Sequence, residues 1–365
     1  MTGIRDLARH LDLSIGTVSR ALNGKADVNP RTRERVLEAA ARLGYSANQS
    51  GRSLRRGQTD LVGVIVPTGG GQTLIDPVFL SVLDGLRRSL RARGLDLAIF
   101  LHGADEDLFG SLRRLTERGL VDGLIVSHTQ RVDPRIDYLI ERGRPFVAFG
   151  RSQSGGDHAW VDPDFGGAVD AAVAMLAARG HRRIALALPP GETNYLHLIL
   201  DAYRAAIARF GLPAPRAYVQ RRPGDEAGGH AAGEALLAAD AAPTAILVSE
   251  AMQAAGLYRR LAEGGLLPGR DISVVGILPE HRASILSPAL TAFQTDWTGI
   301  GAQLGEALVV AMARATPGRD RDAELPGGAV QRLAPVVLRP GASVHRPASE
   351  LSARASAPTG ARHAP

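Results

Sequence analysis

The 365-residue chain contains no cysteine, which excludes disulfides, thiolate metal sites and cysteine nucleophiles together. It also lacks any uninterrupted apolar run of about eighteen residues, the minimum for a membrane-spanning helix. The opening MTGIRDLARHLD is charged throughout and has no apolar run of the kind a secretory signal needs, so a cytoplasmic protein is expected. Catalytic signatures are equally scarce. GGG at 69–71 invites a phosphate-loop reading, and with it an enzyme, but no GxxxxGK[ST] follows and no metal-spaced histidine pair occurs. His102, His128, His158, His181 and His197 are scattered and read as surface or cap residues. Neither a cofactor nor a metal is expected.

What is present suits a soluble chain of two or three domains, with 45% hydrophobic and 22% charged residues. The net charge of +6 is unevenly spread. Residues 1–60 hold 11 Lys and Arg against 6 Asp and Glu, the final 25 residues hold 3 against 1, and the body between them is nearly neutral. A basic head on a neutral body is the footprint of a polyanion-binding module, although a solvated surface would show the same charge.

Pattern resolves the head. Ile4, Leu7, Ala8 and Leu11 recur on one helical face. After a break at Leu11-Asp12-Leu13, Ser14 is placed to cap a second helix carrying Ile15, Val18, Ala21 and Leu22, closed by Asn23-Gly24. Asn29-Pro30 opens a third, with Val36, Leu37, Ala40 and Leu43 expected inward and Gly44 as its stop. Three short helices around one core form a helix-turn-helix plan.

The segments IRDLARHLDLSIGTVSRALNG and VNPRTRERVLEAAARLGY, followed by N-x-x-x-R-S-L, resemble the LacI/GalR family of bacterial transcription regulators. The resemblance runs on to about residue 340. It implies that the second helix lies in the DNA major groove. Ile15 and Gly16 then contact bases, Thr17 and Arg20 contact bases or phosphates, and Ser14, Ser19, Asn23 and Thr32 contact phosphates. Arg20 can fork onto guanine O6 and N7 or clamp a phosphate, and the residues leave both open. Ile15 offers only apolar contact and Gly16 no side chain at all. Asp12 replaces the family's usual turn glycine, a substitution eased by the tolerance of Asp for left-handed backbone.

Residues 48–60 are polar, basic and too short for a stable isolated helix. The resemblance makes them a hinge that folds on DNA, with Leu54 wedged into the minor groove and Arg52, Arg55 and Arg56 beside phosphates. Gly51 stands for the usual alanine and weakens such a helix by roughly 0.5–1 kcal/mol. An ordinary linker is the alternative.

Four times in the body a helical run ends in Arg-Gly before a short apolar strand: at Gly94, Gly119, Gly143 and Gly180. With LVGVIV at 61, TAILVS at 244 and ISVVGI at 272, about nine strands alternate with helices, too many for one comfortable parallel sheet. The expected fold is an N-terminal all-α helix-turn-helix head (1–47), the hinge, and an α/β two-lobed body (61–340). The body's parallel sheets are flanked by helices, with crossovers near 160 and 290, and resemble periplasmic binding proteins. Residues 341–365, rich in Ala, Ser, Pro and Arg, are expected to be a disordered tail.

Ligands in open α/β sheets sit beyond the carboxyl ends of the strands. That rule names Thr68, Asp76, Phe79, Ser127, His128 and Arg151 in the first lobe. In the second it names Asn194, Tyr195, Glu250 and Leu278-Pro279, with Trp297 near the crossover. Polar groups among aromatic rings suit a carbohydrate. Two family anchors are replaced, an arginine by Ile199 and the aspartate of Gly-Phe-Asp by Leu278, so a different small metabolite or no effector stays open. The implied partners are two-fold-symmetric operator DNA, a small-molecule effector and at least one further copy of the chain, with no membrane. A transport-binding protein would share the body and lack the head.

Overall fold

The computed structural model describes residues 4–22, 25, 27–43, 58–68, 77–103, 106–277, 285–315 and 328–347. The chain divides into two compact units, residues 1–60 and 61–365.

In the first unit, α1 (Ile4–Leu11), α2 (Ile15–Leu22) and α3 (Pro30–Arg42) share a core of Leu7, Ala8, Val18, Ala21, Val28, Val36, Ala39 and Ala40. Asp12 adopts φ +53°, the left-handed conformation that lets α1 stop and the chain turn, so the carboxylic side chain fills the role of a glycine. Asn29 caps α3 by accepting the Arg31 N–H at 2.9 Å, and Pro30 occupies the first turn. Leu37, expected inward, is instead 49% exposed. With Val36 at the centre of the buried face, the 100° step per residue carries Leu37 off it, and Ala39 takes the place.

The second unit contains two six-stranded sheets. In the first, β1 (Leu61–Thr68), β2 (Asp96–Gly103), β3 (Gly123–Val126), β4 (Phe146–Phe149), β5 (Trp160–Pro163) and β11 (Gln331–Ala334) run in the order β11-β5-β4-β3-β1-β2, all parallel. The other sheet contains β6 (Ile184–Leu188), β7 (Val219–Arg221), β8 (Ala245–Val248), β9 (Ser273–Ile277), β10 (Thr291–Gln294) and β12 (Val337–Arg339). Its order is β12-β10-β9-β8-β6-β7, parallel except where β12 meets β10.

The chain changes lobe between β5 and the helix at 165, between β10 and the helix at 297, and a third time between β11 and β12, where no crossing was anticipated. Strands β7, β11 and β12 were absent from the sequence reading. Each is three or four residues long and at most one of its residues is buried, so none carries the apolar run that marked the others.

The helices close each sheet. In the first lobe these are α4 (Pro77–Arg91), α5 (Leu108–Glu117), α6 (Pro134–Glu141) and the long α11 (Trp297–Ala315). In the second they are α7 (Phe165–Ala178), α8 (Asn194–Arg209), α9 (Glu226–Leu237) and α10 (Ala251–Glu263). Gly94, Gly119, Gly143 and Gly180 all have positive φ, as the Arg-Gly endings require. Helices α4 and α11 pack backbone to backbone: a Cβ at Gly85 would collide with the Thr298 carbonyl, and one at Gly301 with that of Val82. Trp297, at the start of α11, touches the cores of both lobes.

Candidate functional site

In the head, the start of α2 is fixed locally. Ser14 Oγ accepts the Thr17 N–H at 3.0 Å, and its hydroxyl pairs with that of Thr17 at 2.9 Å. Val18 and Ala21 are buried, which turns the opposite face outward. That face carries Ile15, 47% exposed, together with Gly16 and Arg20. Thr17, Ser19 and, on α3, Thr32 are half-buried. Arg20 Nε lies 3.4 Å from Asp27 Oδ2, and a Cβ at Gly16 would sit only 3.7 Å from an Arg20 guanidinium nitrogen. The guanidinium therefore lies along the strip that Gly16 leaves bare. Asp27 had no place in the sequence reading; its pairing depends on the bend between α2 and α3. Asn23, Arg52, Leu54, Arg55 and Arg56 lie outside the described residues.

In the body, the carboxyl ends of the two sheets do face one another, because hydrogen bonds cross between them. The Asn194 N–H donates to Thr129 O at 2.7 Å, and Asn194 Nδ2 donates to Arg151 O at 2.7 Å. Gln130 and Thr193 form an antiparallel bridge, and Arg131 pairs with Asp201 at 3.1 Å. These contacts bring Asn194 and Arg151 together as the sequence suggested, although their polar groups are directed to the facing lobe and to Asp162. Arg151 Nε donates to Asp162 Oδ2 at 2.7 Å; burial raises the Asp162 carboxyl above its ordinary range even against that cation.

The rest of the cleft set falls into two groups. On the first lobe, the Phe79 and His128 rings lie 6.1 Å apart, and Ser127 is buried with Oγ donating to Ile65 O at 3.3 Å. His128 has φ +52°, an uncommon conformation for a residue with a side chain. On the second lobe, the Tyr195 hydroxyl donates to Glu250 Oε1 at 3.1 Å while its ring lies 5.4 Å from that of Phe165. Trp297 completes the aromatic set between the lobes. Ile199 is fully buried in the second lobe's core, so that position supplies no polar group. Asp76, Leu278 and Pro279 lie outside the described residues, as do all of residues 69–76.

Three histidines read as surface or cap residues are buried instead. His102 lies 3.2 Å from Glu106 Oε2, and His158 stacks on Phe146 at 5.8 Å. His181 pairs with Thr244 Oγ1 at 2.9 Å and Ser273 Oγ at 3.0 Å. Histidine is amphipathic enough to be buried once tertiary neighbours supply rings or hydroxyls, and linear sequence cannot reveal those. Among the described residues no group of three or more His, Asp or Glu is placed to hold a metal, and no helix is long and apolar enough to cross a membrane.

Residues 3–48 match the bacterial regulatory proteins of the lacI family, and residues 173–334 match the periplasmic binding protein-like domain. The chain is 34% identical over 311 residues to the HTH-type transcriptional regulator AglR of Rhizobium meliloti, covering 84% of this chain and 86% of that one. It is 30% identical to the HTH-type regulator RafR of Escherichia coli, over 94% and 99% of the two chains. Among solved structures, the transcriptional regulator CelR in complex with cellobiose superposes with TM-score 0.69 at 25% identity over 94% of this chain and all of that one. The lac repressor dimer bound to operator and the anti-inducer ONPF shares the fold with TM-score 0.82 at 22% identity, over 94% and 99%. The relatives are regulators rather than enzymes. The chain belongs to the LacI family of bacterial regulatory proteins and is a helix-turn-helix transcriptional regulator.

Proposed function

We propose that this regulator is a cytoplasmic repressor whose homodimer reads a two-fold-symmetric operator with α2 and whose grip is set by a sugar in the cleft between the body's lobes. The observation that carries the DNA half is the capped, outward face of α2, with Ile15, Gly16 and Arg20 exposed while Val18 and Ala21 hold the core. Ser14, Thr17, Ser19, Asn23 and Thr32 are assigned phosphate or base contacts by the resemblance. The hinge residues Arg52, Leu54 and Arg55 are assigned backbone and minor-groove contacts by the resemblance. A single small head binds weakly at physiological salt, so two heads on one operator supply the affinity.

The effector half is supported by the aromatic and polar mixture of the cleft and by the cellobiose bound to CelR. A curated relative at 27% identity is the Escherichia coli ribose operon repressor. Among the described residues, effector contacts are assigned to Phe79, His128, Tyr195, Glu250 and Trp297, with Ser127, Arg151 and Asn194 shaping the walls. Asp76 and Leu278 belong to the same assignment. Sugar binding biases the two lobes, and coupling of ~1–3 kcal/mol changes operator affinity 5- to 150-fold.

The test is fluorescence anisotropy on the upstream DNA of the chain's own reading frame, at several salt concentrations, with cellobiose, ribose and other mono- and disaccharides added. Specific binding that one sugar shifts at least five-fold supports the reading. Absence of any bound species at low salt overturns it.

A further inference from the structure

The loop that links β3 to α6 is built around one arginine that neither the sequence pattern nor the family comparison singled out. Arg135 is 6% exposed, and its guanidinium gathers four acceptors. Nε and Nη2 donate to the two carboxylate oxygens of Asp133 at 2.9 and 2.7 Å, and Nη2 reaches Ser127 O and His128 O, each at 3.1 Å. Asp133, fully buried, accepts the Gln130 N–H at 3.0 Å as well, and its own N–H donates to Ser154 Oγ at 2.7 Å. Ser127, His128 and Asp133 are thus tied directly to one fixed cation, and Gln130 through Asp133.

Two features of the cleft depend on that loop. His128 holds φ +52°, a backbone conformation costly enough to need support from its surroundings, and this conformation sets its ring against Phe79. The next residue, Thr129, presents the carbonyl that takes the Asn194 N–H of the other lobe at 2.7 Å. As the first residue of α8, Asn194 has no intrahelical acceptor for that N–H.

We propose that Arg135 is the positioning residue of the cleft: by drawing in the carbonyls of Ser127 and His128 it fixes the turn that aims the His128 ring and delivers the Thr129 carbonyl to the opposite lobe. Guanidinium geometry is what the job requires. A lysine ammonium keeps the charge beside Asp133 but is a compact point donor that cannot bridge a carboxylate and two carbonyls in a fixed plane. This deepens the effector reading of the cleft, yet its test needs no ligand, so failure of the sugar screen leaves it standing.

The experiment compares the full-length protein with Arg135→Lys, using Arg131→Ala as a control that removes only the exposed interlobe ion pair. Hydrogen exchange is followed residue by residue, together with the imidazole resonances of His128. In Arg135→Lys, exchange at the Asn194 amide accelerates ten-fold or more and the His128 resonances move, while the amides of Ile125 and Val147 keep their protection. In Arg131→Ala the His128 resonances stay in place. Unchanged protection at Asn194 overturns the proposal. So does acceleration there in parallel with Ile125 and Val147, or an Arg135→Lys protein that does not fold, because Arg135 would then serve the stability of the lobe rather than the shape of the cleft.

Discussion

The side chain of Asn194, 6% exposed at the start of α8, donates to the main-chain oxygen of Arg151 across the cleft at 2.7 Å. With the adjoining bond to Thr129 O, one residue of the second lobe holds the first by two donors. Both bonds are made by the protein itself, so lobe closure has a ligand-independent component that a sugar adds to or competes with.

Asn194→Ala removes the side-chain bond and leaves Arg151 O without its donor. The expected loss is about 1 kcal/mol of closure energy, seen as a larger radius of gyration by small-angle scattering and an altered emission from Trp297, which touches both cores. Identical scattering and emission from the variant and the parent would count against it.

Arg20 and Asp27 form an exposed pair at 3.4 Å whose intrinsic stabilisation is small. Its consequence lies on DNA, where the carboxylate opposes the phosphates that the guanidinium seeks. Asp27→Asn is expected to raise non-specific affinity and steepen the salt dependence by about one phosphate contact, narrowing the ratio of operator to random-sequence binding. Arg20→Met is expected to weaken operator binding at least ten-fold, consistent with the roughly 1–3 kcal/mol of a specific base contact. Salt titrations of both variants decide the matter.

Burial depresses the His181 imidazole to about 4, despite its hydrogen bond to the His345 backbone, and lowers His158 and His345 in the same direction. The unfolded chain takes up a proton at His181 as pH falls through ~6.5, whereas the folded chain does not until about 4. Folding stability therefore declines between those values as acid is added, by up to about 3 kcal/mol for His181 alone. Urea unfolding at pH 7, 6 and 5 should show the decline, and His181→Asn should flatten it. Constant stability over that range would contradict the assignment.

Gly301→Val places a branched side chain where α11 meets the Val82 carbonyl of α4. Overpacking of this kind destabilises by ~1–3 kcal/mol or more, here in the first lobe. Gly119→Ala, at a positive-φ cap with open space around it, tests backbone strain alone and should be milder. Chemical denaturation distinguishes the two, and equal effects would refute the packing account.

The amino-acid sequence alone determined what rests on neighbours a few residues apart. The three head helices follow from period and caps, Ser14 and Asn29 among them. The left-handed Asp12 and the four Arg-Gly endings follow from the backbone preferences of single residues. The parallel two-sheet body follows from strands long and apolar enough to be recognised. Arg151 and Asn194 at the cleft could be named in advance, because strand ends are readable wherever strands are.

Tertiary structure decided everything that depends on residues far apart in the chain. Asn194 meets Thr129 and Arg151 only after both lobes have folded. The interior places of His181 and His158 depend on Ser273, Thr244 and Phe146, which arrive from other strands or loops. Arg135 carries no local mark that separates it from the surface arginines, because its acceptors are carbonyls and every residue has one. Strands β7, β11 and β12 are likewise set by the edges they pair with rather than by their own composition. Hydrogen-bonding partners are a property of the fold, whereas caps, turns and periodicity belong to the chain itself.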